Sequence, residues 1–212
     1  MTRPAKPAMK PRAAAVAAPE TSESRCNTCQ QEIAVCDGVH YGSPETGYRL
    51  LCSRCFNEEV AECGGLDFQH VEFDPVEMRD AAGACHEFHF RVHLLGDRVA
   101  LDAFELKDGQ PSGYQFQAID DAEAELFGLM GRLVARMRRA LATRHLEEDH
   151  GQLHIADLVA RGRIEWDESE AGRVPSIVID GREITWDDFG RMLMTFEGWQ
   201  FKLEIRDRSE EI

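Results

Sequence analysis

A chain of 212 residues, 43% of them apolar, can build one domain of ordinary size and a smaller one beside it. No apolar run approaches the roughly 18 residues of a membrane span. A formal net charge of −15 sets the molecule as a whole against phosphate backbones and disfavours nucleic acid as a partner.

The charge is uneven. Arg3, Lys6, Lys10 and Arg12 fall in an opening stretch, MTRPAKPAMKPRAAAVAAPETSES, that is rich in Ala and Pro and has no aromatic residue. Such a composition predicts a disordered basic tail over residues 1–24. Its AAAVAA run lacks the Leu-rich centre of a secretory signal, although a transit-like presequence fits the composition too. The seven cysteines are therefore read as cytoplasmic thiols, either free or bound to metal.

Cys26 and Cys29 form one C-x2-C pair, and Cys52 and Cys55 form another 22 residues on. Each two-residue gap lets one tight turn aim two thiolates at one ion, and two such turns complete a tetrahedral shell. Between them, Ile33–Val35, a turn at Asp37-Gly38 and a strand through Tyr48, Leu50 and Leu51 read as a hairpin. FNEEVAE after Cys55 reads as the start of a helix. Knuckle, hairpin, knuckle, helix resembles a treble-clef finger, here over residues 25–65 with Gly64-Gly65 closing it. The resemblance implies one structural Zn2+ per chain on Cys26, Cys29, Cys52 and Cys55; a catalytic ion would need an open position that four thiolates do not leave. With Cys36 and Cys63 the spacing also resembles the fungal binuclear zinc cluster. The central gap is longer than that family shows, though, and the segment carries Glu32, Asp37, Glu45, Glu58, Glu59 and Glu62 against Arg49 and Arg54. Cys36 and Cys63 are accordingly read as ordinary thiols, and His40 as a spare ligand candidate.

An α+β domain is predicted over residues 72–207. CHEFHFRVHLL alternates strictly, putting Phe88, Phe90, Val92 and Leu94 on one face and Glu87, His89, Arg91 and His93 on the other. RVALDAFEL and YQFQAI supply two more antiparallel strands. A long helix follows, with Leu126, Met130, Leu133, Met137 and Leu141 as its core stripe and Asp120 or Asp121 as its cap. ARGRIEWDE and PSIVIDG read as strands, and Thr185 with Asp188 as a capping box opening a short helix that runs to Gly198. WQFKLEIRD then alternates as a closing strand, and residues 208–212 form a frayed acidic end. The fold expected is thus a small treble-clef zinc finger followed by a mainly antiparallel sheet packed with one long and one short helix.

Two constellations invite other chemistry. His89 and His93 share a strand face, as metal oxygenase ligands do, but no second matching motif completes a site, and one wet face of an antiparallel strand gives the same pattern. Arg132, Arg136 and Arg139 share a helix face suited to nucleic acid or an acidic partner, while dipole matching explains them as well. No nucleophile elbow, phosphate loop or H-E-x-x-H is present.

The segments CNTC, CSRCFNE, HEFHF and VIDGREITWDDFGRMLMTFEGWQF together resemble an uncharacterised bacterial family. Its members join a four-cysteine finger to a C-terminal domain of unknown function. That resemblance implies no established activity. The reading that follows is a zinc-binding adaptor or regulator working through protein–protein contacts, not an enzyme. A nucleic-acid-binding regulator using the tail or the arginine helix, and a metal enzyme using His89 and His93, are the alternatives.

Overall fold

The computed structural model describes residues 24–167, 169 and 172–210. The predicted basic tail lies outside them up to residue 23. The first element is a two-stranded knuckle, β1 (Ser24–Arg25) against β2 (Glu32–Ile33). A short 3-10 turn at Val35–Asp37 leads into the hairpin of β3 (Gly38–Ser43) and β4 (Gly47–Cys52), and helix α1 spans Ser53–Gly64.

The hairpin therefore turns at residues 44–46 rather than at Asp37-Gly38. Ser43 and Thr46 close it with reciprocal side-chain bonds, and Gly47 takes the positive φ that the turn requires. Asp37 is occupied elsewhere. Its carboxylate accepts the Ser53 N–H and hydroxyl, which caps the free donors of α1 from across the finger. Gly65, left-handed at φ 63°, ends α1 as expected, and its N–H and that of Leu66 return to the last helical carbonyls.

A four-stranded antiparallel sheet follows in the order β5-β6-β7-β8, comprising β5 (Val76–Arg79), β6 (Cys85–Leu95), β7 (Arg98–Lys107) and β8 (Gln110–Asp121). Short β5, pairing only with residues 85–88 of β6, was not legible in the sequence. Helix α2 (Leu126–Leu141) covers one face of this sheet. Leu126, Leu129, Leu133, Met137 and Leu141 meet Phe88, Val92, Leu94, Val99 and Leu101 in the largest core. Leu129 joins the stripe as a fully buried member while Met130 packs at its margin, and the N-cap is Glu125, whose carboxylate accepts from Phe127 and Gly128 N–H. Asp120 and Asp121 instead end β8.

The last third has its own core, built from Leu146, Ile177, Ile179, Ile184 and Met192. It comprises the hairpin β9 (Leu146–Asp149)–β10 (Gln152–Ile155), the sheet β11 (Gly162–Trp166)–β12 (Pro175–Ile179)–β13 (Arg182–Ile184), and helix α3 (Trp186–Met194). Asp180-Gly181 and His150-Gly151, all four with positive φ, close two of its hairpins. Thr185 caps α3 by accepting from Asp188 N–H, as the capping-box pattern predicts. The helix stops at Met194, four residues short of Gly198. The expected closing strand is also absent: residues 199–205 pair with no strand among the described residues. Alternation provides a strand-like side-chain pattern but not a partner, and pairing is what makes a strand.

The architecture is thus α+β and mostly antiparallel. Among the described residues no helix is long and apolar enough to cross a membrane. The stretch expected as one α+β unit holds two separate cores, one on each side of the 142–145 linker.

The N-terminal cysteine-bearing unit, which holds the predicted finger, is seated on the sheet. Beyond residue 88, β6 has a free edge, and Asn57 of α1 occupies it: its amide donates to Val92 O at 2.7 Å and accepts from Leu94 N at 2.8 Å. The side-chain amide stands in for a neighbouring strand. Ala61 reaches the main core from the same helix.

Candidate metal centre

The two knuckles converge because the second is the junction of β4 and α1, and the first is tied to it. Asn27 donates its backbone N–H to Leu50 O at 2.8 Å, and its side chain accepts from Leu50 N at 2.7 Å. The sulfurs of Cys26, Cys29, Cys52 and Cys55 consequently lie within 4.8 Å of one another. The Cys29 and Cys52 sulfurs are 3.9 Å apart. Four thiolates around a tetrahedral ion at about 2.3 Å stand about 3.8 Å from each other, so the separation fits one shared ion. Cys26 and Cys55 are buried and Cys29 is exposed, with Ile33 and Leu51 as the apolar floor.

The electrostatics favour a cation here. Burial raises the Cys26 thiol, but the backbone N–H groups of Cys29, Cys52 and Thr28 outweigh it and bring it down to about 6. The Cys52 N–H lies 3.4 Å from that sulfur. Burial pushes the Cys52 and Cys55 thiols up, and for Cys55 the three neighbouring sulfurs push further in the same direction. One negative sulfur thus makes the next harder to ionise, and a divalent cation among them would reverse that. The cysteine set fits a thiophilic ion with all four positions filled.

The remaining cysteines stand apart from this group. Cys36 is half-buried, with its thiol raised by burial and by Asp37, and its carbonyl accepts from Arg91. Cys63 is exposed near the end of α1, and Cys85 is exposed with its sulfur 3.8 Å from Glu77. His40 is exposed on β3. Among the described residues, no other cluster of three or more Cys, His, Asp or Glu could hold an ion in common.

His89 and His93 are engaged separately. His89 Nε2 is 2.9 Å from Glu87, and His93 Nε2 is 3.1 Å from the Ser53 hydroxyl. The face expected to be wet is in fact where the finger lands. Ser53 joins His93 to Asp37, Phe56 packs edge-on against His93, and Asn57 contacts His70 Nδ1 at 2.9 Å. Asp37, Ser53, Asn57 and His70 were not anticipated as functional positions. The one local signal was Asn57, a poor helix former in mid-helix whose side chain competes for backbone partners.

The arginine face of α2 is turned to internal use. Arg132 pairs with Asp120, and Arg136 donates to Gln117 O at 2.9 Å and to Ser209 O at 3.0 Å, with Arg208 and Glu210 carbonyls alongside. A small cleft of about 130 Å³, lined by Asp80, Tyr114, Arg144, Asp180 and Arg182, lies where the two larger cores meet.

The chain matches three family models in tandem, each described as a domain of unknown function: DUF7685 over residues 25–67, DUF7686 over 69–142 and DUF7713 over 144–210. The first contains the four cysteines; the joint at 142–144 falls between two cores, while Ala61 of the first model's stretch belongs to the core of the second. No curated protein and no solved structure matches it.

Proposed function

We propose that Cys26, Cys29, Cys52 and Cys55 bind one structural zinc ion in a treble-clef finger, and that the protein is a cytoplasmic adaptor or regulator acting through contacts with another protein. One observation carries this reading: four sulfurs close enough to share an ion sit at the start of a helix whose far side is bonded into the sheet domain. A fully ligated ion offers no site for substrate, so its role is to hold shape. The finger's own core is only a few side chains, so the metal supplies much of its folding free energy. The acidic net charge favours a protein partner over nucleic acid.

Elemental analysis of the purified chain should find about one zinc per molecule. Hydrogen exchange after chelation should rise in residues 26–63, and Cys52→Ser should do the same while the helix α2 core stays protected. A pull-down comparing the wild type with Cys52→Ser then tests the adaptor role. Metal-free protein with a rigid finger would refute the zinc reading; identical captured partners for both proteins would refute the finger's part in binding.

A further inference from the structure

Residues 199–205 display four large apolar side chains in strict alternation: Trp199, Phe201, Leu203 and Ile205 are 65%, 90%, 72% and 69% exposed. The backbone N–H groups of residues 200–205 find no acceptor among the described residues. The segment is nonetheless held at both ends. Trp199 N–H returns to Phe196 O at 2.9 Å, with the two rings 5.9 Å apart. Beyond the segment, Arg136 grips the carbonyls of residues 208–210, and Arg208 reaches Asp102. A segment anchored at both ends, with open hydrogen bonds, loses less conformational freedom on pairing than a free one would.

We propose that this strand pairs antiparallel with the same strand of a second copy, with Leu203 at the two-fold axis. The charge pattern favours that register, because it sets opposite charges together and places no like charges opposite one another. Lys202 then stands opposite the second copy's residue 204, a glutamate, and Glu204 opposite its residue 202, a lysine, so each attraction occurs twice. Phe201 meets the position of Ile205, Leu203 meets its own counterpart, and Gln200 meets the position of Arg206. Because residue numbers in each pair sum to an even number, every apolar side chain falls on one face of the ribbon. In the single chain Lys202 and Arg206 both lie against Glu204, so the charged face is already assembled. A two-stranded ribbon is marginal unless its apolar face is covered. Leu193 and Met194, 46% and 66% exposed at the end of α3, offer surface for that. Covering these side chains on two copies removes on the order of 1,000 Å² from water, the lower bound for a specific interface. The proposal does not depend on the metal site.

Sedimentation equilibrium of the full, metal-loaded chain should show a reversible dimer. Leu203→Asp places two carboxylates face to face and should weaken the dimer by roughly tenfold or more without lowering the monomer's melting temperature, since the residue is exposed. Lys202→Glu should also weaken it, and Lys202→Glu combined with Glu204→Lys should restore it. A wild-type chain that stays monomeric at every concentration overturns the proposal. So does a dimer indifferent to Leu203→Asp, or a double charge reversal that fails to recover association.

Discussion

Arg91 and Asp102 stand directly opposite each other on β6 and β7, with 3.1 Å between guanidinium and carboxylate. Each also holds a distant part of the chain. Arg91 donates to Cys36 O of the finger at 2.7 Å and lies 5.6 Å from the Phe104 ring centre. Asp102, 3% exposed, accepts from Gln117 at 2.8 Å and from Arg208 of the C-terminal segment at 3.4 Å. One ion pair on the sheet's second face thus joins finger, sheet and tail.

Removing one partner of such a pair leaves the other uncompensated. Asp102→Ala should therefore destabilise the protein by about 3 kcal/mol in urea unfolding. Arg91→Met takes the guanidinium away from both the Phe104 ring and Asp102, which keeps Gln117 and the more distant Arg208, and should cost about 2 kcal/mol. A loss under about 0.5 kcal/mol for both would show that the pair is solvent-compensated.

Asn57 satisfies two backbone groups of β6 that have no neighbouring strand. Asn57→Leu preserves size but leaves Val92 O and Leu94 N without their partner, at a cost of about 2 kcal/mol. The signature is local: Leu94 N–H should exchange far faster in the variant, while N–H groups within the β7–β8 ladder keep their protection. Unchanged exchange at Leu94 would rule out the strand-like role of this side chain.

Burial, with the Arg91 guanidinium acting in the same direction, lowers His93 to about 4, and burial also lowers His70. In the unfolded chain a histidine titrates near 6.5, so acid protonates the unfolded state first. Stability from His93 is complete above about pH 6.5, falls as the pH drops toward 4, and then levels off, a change on the order of 2–3 kcal/mol. Release of the proposed metal would add to acid sensitivity as well. The comparison is therefore with His93→Gln, which should lose less stability than wild type over that window. Parallel curves for the two proteins would sink the assignment.

The thiols should divide by reactivity. With metal bound, alkylation at neutral pH should modify exposed Cys63 and Cys85 quickly and half-buried Cys36 slowly, its thiol being raised by burial. Chelation should then open Cys26, Cys29, Cys52 and Cys55 to reagent. Mass spectrometry counts the adducts, and early labelling of those four in the loaded protein would contradict metal ligation.

Much of this molecule was written locally. The two C-x2-C pairs marked the four cysteines that lie together, because a two-residue gap lets one tight turn aim two thiols the same way; the Asn27–Leu50 bonds then bring the two turns together. Strand alternation in β6, the stripe of α2, the Asp180-Gly181 turn and the Thr185 cap were legible for the same reason: each is a property of a few neighbouring residues. Tertiary structure decided what covers each face. Period-two alternation makes 86–94 and 199–205 look alike, yet one segment is paired and roofed by the finger while the other stands open. The same contacts turned a seemingly wet row of Arg91 and His93 into an interface, and assigned Asp37 to a helix cap instead of a turn. Periodicity specifies which side chains share a face, and only long-range packing determines what that face meets.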